Sequence, residues 1–156
     1  QSVVSRSTNP QDAVVVSVTK ISAGDSYNVI PKECTLQGTL RYFTHEAGER
    51  ARERVHEVSA GVSAAMGVGV GEGIEVRFAE PSDGAFPPTI NTDRETALAA
   101  GVAGRLFGAE NVLGAGVNGL EEVRPYGLPT MGAEDFSFML LERPGCYMFL
   151  GQGSEH

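Results

Sequence analysis

The chain contains no tryptophan, two cysteines, three histidines and 12 basic residues among 156. Each shortage excludes something. Lys and Arg form no cluster and the net charge is −8, so the chain offers no electrostatic footprint for nucleic acid. No apolar run reaches membrane-spanning length. Cys34 and Cys146 are too few for a disulfide framework. Both sit in apolar runs and are expected as buried free thiols, which fits a cytoplasmic location. The N-terminus, Gln1-Ser2-Val3-Val4, lacks the basic-then-apolar order of a signal peptide, and its lack of an initiator Met suggests trimming or truncation. There is no G-x-G-x-x-G, no P-loop and no G-x-S-x-G. None of His45, His56 and His156 has a second histidine at i+2 or i+4, or a cysteine at ligand spacing.

What is present is a folding pattern. Hydrophobic residues are 41% and charged residues 21%, the balance of a globular chain. Composition shifts once, where Pro81, Ser82, Asp83, Gly84, Pro87 and Pro88 crowd together. Neither a helix nor a central strand continues through such a stretch. The expected organisation is therefore two lobes, residues 1–80 and 83–156.

In the first lobe the pattern reads strand, strand, helix, strand. Ala13 to Ile21 carries Val14, Val16 and Val18 on one face. Cys34 to Phe43 alternates, with Cys34, Leu36, Leu40 and Tyr42 opposite Thr35, Gln37, Thr39 and Arg41. Thr44 can cap a helix over Glu46 to Met66, whose stripe is Ala51, Val55, Val58, Val62 and Ala65. Ile74, Val76 and Phe78 alternate as a third strand. A one-sided sheet under one helix equals a ferredoxin-like split unit lacking its opening strand and helix, with Gln1 to Arg6 as the tail of that helix.

The second lobe reads as α/β. Thr92 and Glu95 form a capping-box pattern before a helix through Leu98, Val102 and Leu106. Ala133 to Glu142 reads as a short helix and Cys146 to Leu150 as a strand buried on both faces. Glu134 and Asp135 suit either acid–base work or simply the first turn of a helix, where the dipole favours acids. Asn28 and Arg41 read, on residue chemistry alone, as a turn asparagine and an exposed sheet arginine.

Five segments in order add a resemblance. Gly24-Asp25-Ser26-Tyr27-Asn28-Val29-Ile30-Pro31, Leu36-Gln37-Gly38-Thr39-Leu40-Arg41-Tyr42-Phe43, Phe86-Pro87-Pro88-Thr89-Ile90-Asn91, Met131-Gly132-Ala133-Glu134-Asp135-Phe136-Ser137 and Arg143-Pro144-Gly145-Cys146-Tyr147 with Leu150-Gly151 resemble motifs of the metal-dependent aminoacylase and carboxypeptidase family. The nearest branch looks like the hippurate and indole-acetyl-amino-acid hydrolases. The resemblance implies an α/β architecture in which a ferredoxin-like lid (dimerisation) lobe precedes the C-terminal part of a metallopeptidase-like catalytic domain. It implies hydrolysis of N-acyl amino acids with two divalent ions, zinc, manganese or similar, in the intact enzyme. Their ligand motifs lie mainly before the lid, so this segment is expected to bind no metal and to be inactive alone. The implied partners are the small-molecule substrate and a second copy through the lid. Asn28, Arg41, Met131 and Gly132 are the implied substrate-binding residues and His156 the candidate metal ligand. The short connection from Asn28 to Arg41 is expected to place both side chains on one rim of the lobe. The rival reading is a non-catalytic dimerisation or ligand-binding module of ferredoxin-like fold.

Overall fold

The computed structural model describes residues 2–68, 73–114, 130–132 and 134–151. The chain divides into two compact units between Gly84 and Ala85.

The first unit begins with helix α1 (Ser2–Ser7), where the tail of a helix was expected. Strand β1 (Val14–Ala23) and strand β2 (Cys34–Tyr42) follow as an antiparallel hairpin, and helix α2 (His45–Ala65) crosses one of its faces. Thr44 starts α2 as expected. Its backbone is extended and its hydroxyl accepts from the Ala47 amide at 3.3 Å.

The core lies where α2 meets the base of the hairpin. Val3, Val14, Ala47 and Ala51 are buried, with Val16, Leu40, Tyr42, Val55 and Val58 packed around them. Small residues on α2 let the helix approach closely. A Cβ on Gly48 would lie 2.7 Å from the Tyr42 ring. Polar contacts tie α1 and its following turn to α2: Arg54 Nε donates to Ser7 Oγ at 2.9 Å, and Arg50 pairs with both Asp12 and Glu46.

The register explains the strand pattern. Val14 opposes Tyr42, Val16 opposes Leu40 and Val18 opposes Gly38. Continued without change, this pairing would set Lys20 against apolar Leu36. Instead a bulge between Val18 and Lys20 takes up Thr19, so that Lys20 opposes Gln37 and Ile21 opposes Leu36. Gly38 is required beside this irregularity, because a Cβ there would collide with the Ser17 carbonyl oxygen.

Three expectations for this unit need correction. Ile74 to Phe78 forms no strand, and the sheet among the described residues has two strands, β1 and β2. The segment follows α2 instead. The Ile74 amide donates to Ser63 Oγ at 3.1 Å, and Phe78 packs edge-on to His56 beneath the Arg52 guanidinium. An alternating segment becomes a strand only where a neighbouring backbone supplies partners, and here side chains of α2 occupy that place. Val62, assigned to the helix core, is 45% exposed, because α2 outruns the part of the sheet it covers. Cys34 is likewise exposed rather than buried, since it lies at the far end of the hairpin, and Cys146 is half-buried.

In the second unit helix α3 (Asp93–Phe107) is followed, beyond residues outside the described set, by helix α4 (Phe136–Glu142). Residues 146–150 are not a strand, and Leu150 is 86% exposed. A strand buried on both faces needs flanking strands, and none stands beside it among the described residues. No helix among the described residues is long and apolar enough to cross a membrane.

The packing at Gly48 sets up a sign test. Gly48→Ala should destabilise the chain by about 1–2 kcal/mol, because overpacking against Tyr42 exceeds the gain in helix propensity. Gly61→Ala, on the same helix with nothing within 4 Å of its Cβ position, should stabilise it by up to about 1 kcal/mol. Chemical denaturation of both variants checks this; equal shifts would contradict the packing described.

Candidate functional site

Asn28 and Arg41 belong to the same hairpin but to opposite ends of it. Asn28 sits in the loop that joins β1 to β2. Gly24 enters this loop at φ 71° and packs near the Pro31 ring, and the Val29 amide donates to the Ser26 carbonyl at 3.4 Å. The loop projects outward, with Tyr27 at 103% and Ile30 at 94% exposure. Arg41 opposes Val15 near the hairpin base, on the strand face opposite that of Leu40 and Tyr42, and is exposed. The expectation that one rim carries both residues is therefore incorrect. Seven residue steps of β2 separate Arg41 from Cys34, about 23 Å at strand rise, and Asn28 lies beyond Cys34.

In the second unit the motif segments are knitted together around Asn91, Thr92 and Tyr147. The Asn91 carboxamide donates to the Tyr147 carbonyl at 2.9 Å and accepts from the Tyr147 amide at 2.8 Å, as a neighbouring strand would. The Thr92 amide donates to the Gly145 carbonyl, and the Gly145 amide donates to Thr92 Oγ1, both at 3.0 Å. The predicted capping box at Thr92 is not made. With Gly145 donating to it, the hydroxyl turns to the Glu95 carboxylate at 2.6 Å and caps no amide of its own helix. That bond holds the Glu95 carboxyl below its ordinary range. Sequence reasoning assigned no role to Asn91 or Tyr147. The available signal was position: a carboxamide directly before an N-cap has no duty in the helix it precedes.

Tyr147 also reaches the acidic pair. Its hydroxyl donates to Glu134 Oε2 at 2.9 Å, its ring packs on Phe136, and Glu134 Oε1 accepts from the Asp135 amide at 3.0 Å. The two carboxyls are neighbours and shift each other in opposite directions. Asp135, hydrogen-bonded to Glu134 and repelled by its charge, has its pKa raised; Glu134, stabilised by Asp135 and then by Tyr147, has its pKa lowered. The Tyr147 phenol is pushed up by the same bond to Glu134. Ser137 is fully buried, and both its amide and its hydroxyl donate to the Glu134 carbonyl. These bonds fix the start of α4 at Phe136, so Glu134 and Asp135 precede the helix and do not lie in its first turn as expected.

Met131 is half-buried and Gly132 exposed, close before this pair in sequence, and the Gly132 amide donates to Thr130 Oγ1 at 3.3 Å. His156 lies outside the described residues. Among the described residues no three His, Cys, Asp or Glu side chains come together as a metal site. His45 and His56 stand eleven residues apart on α2, both exposed. The described residues thus do not compose the ligand set of a two-metal centre.

Comparison with known proteins places this geometry. Residues 8–65, which contain β1, β2 and α2, match the model of the peptidase dimerisation domain. That domain is a ferredoxin-like α/β lid. Across 97% of its length the chain is 32% identical to IAA-amino acid hydrolase ILR1-like 4 of Arabidopsis thaliana, covering 31% of that protein. It is 29% identical to the hippurate hydrolase of Campylobacter jejuni, over 96% of this chain and 34% of that one. It is 28% identical to the N-acetyldiaminopimelate deacetylase of Bacillus subtilis, over the whole chain and 36% of the relative. No solved structure matches. Along almost its whole length the chain is thus similar to amidohydrolases of the metal-dependent aminoacylase and carboxypeptidase family. It spans about a third of the length of the curated relatives it matches.

Two outcomes test the second unit. Asn91→Asp removes the donor to the Tyr147 carbonyl and sets a carboxylate against it, and should cost about 1–3 kcal/mol; an unchanged unfolding midpoint would show that the latch is unimportant. Tyr147→Phe should raise the Glu134 pKa, read by carboxyl NMR titration. The sign follows from linkage. A lowered Glu134 pKa contributes stability above the ordinary glutamate pKa, lost as pH falls through the folded value, so the variant loses that acid-side contribution.

Proposed function

We propose that the polypeptide carrying this chain is a metal-dependent hydrolase of N-acyl amino acids. Residues 8–65 join two copies, and residues 83–156 form the C-terminal portion of the catalytic domain. The observation that carries this reading is similarity to amidohydrolases along 96–100% of the chain, well past the dimerisation domain. A lid-only binding module would have no use for the second unit.

The reaction adds water across an amide. The acyl carbon gains the hydroxyl, the C–N bond breaks, and the leaving nitrogen takes the proton to give a free amino acid. Metal ions, when bound in the intact enzyme, would supply the activated water. His156 is assigned as the metal ligand that this chain supplies, and Met131 and Gly132 as substrate contacts. Arg41 is suited to the substrate carboxylate, because guanidinium presents two parallel N–H donors in the plane that a carboxylate accepts. Asn28 is suited to the acyl carbonyl, where its amide donates to the oxygen as charge develops.

Activity of the full-length protein toward a panel of N-acyl amino acids, lost on chelation and restored by divalent metal, tests the function. Arg41→Ala should lower kcat/KM for substrates with a free α-carboxylate roughly ten- to a hundredfold, and Arg41→Lys should recover part of it. A substrate with an amidated carboxylate should be poor for wild type and nearly indifferent to the change. Equal losses on both substrates would make Arg41 structural.

A further inference from the structure

We draw no further inference here: the strongest candidate, the exposed apolar patch of Val18, Ile21 and Leu36 on the half of the β1–β2 hairpin farthest from its base, carries nothing, since nothing in the structure shows what covers it.

Discussion

The first unit depends on one close contact, the small-residue face of α2 against the base of the β1–β2 hairpin. Ala47, Gly48 and Ala51 have little side chain, so the helix backbone comes down onto Val14 and the ring of Tyr42. The contact is short. Beyond it the hairpin runs on uncovered, with Val18, Ile21 and Leu36 exposed, and the far end of α2 exposes Val62 and Met66. A helix held at one end of a hairpin leaves the other end free to meet something else. That free end carries the loop with Asn28.

The second unit solves a different problem. Residues 145–147 have the hydrogen-bonding needs of a strand without a strand beside them, and Asn91 and Thr92 meet those needs with side chains. Two polar residues at the head of α3 thereby fix a segment more than fifty positions away. Tyr147 carries the constraint onward to Glu134 at the head of α4. Leu98, Val102 and Leu106, the apolar stripe of α3, are exposed, so polar latches rather than a buried core organise the described part of this unit.

Sequence periodicity revealed what local chemistry determines and missed what neighbours determine. β1, β2 and α2 are legible because alternation and a helical stripe are written into consecutive residues, and Thr44 announces the start of α2. Ile74 to Phe78 alternates without forming a strand, because alternation shows readiness to pair without showing that a partner exists. Cys146 to Leu150 failed for the same reason. Thr92 followed by Glu95 looked like a capping box, but the Thr92 hydroxyl bonds to Gly145, a competitor invisible in a local window. Asn28 and Arg41 share no rim because β2 is extended: the 13 positions between them look short in sequence, yet the strand sets them far apart. Motif order disclosed the family, whereas the distance between two of its residues required the register.

The bulge at Thr19 does more than keep Ile21 opposite Leu36. A bulge bends its strand and increases the local twist, and this one lies between the half of the hairpin clamped by α2 and the half that carries the loop. It therefore acts as a fixed elbow. The clamped half is the upper arm, the free half is the forearm, and the direction in which Asn28 is held out depends on one inserted residue.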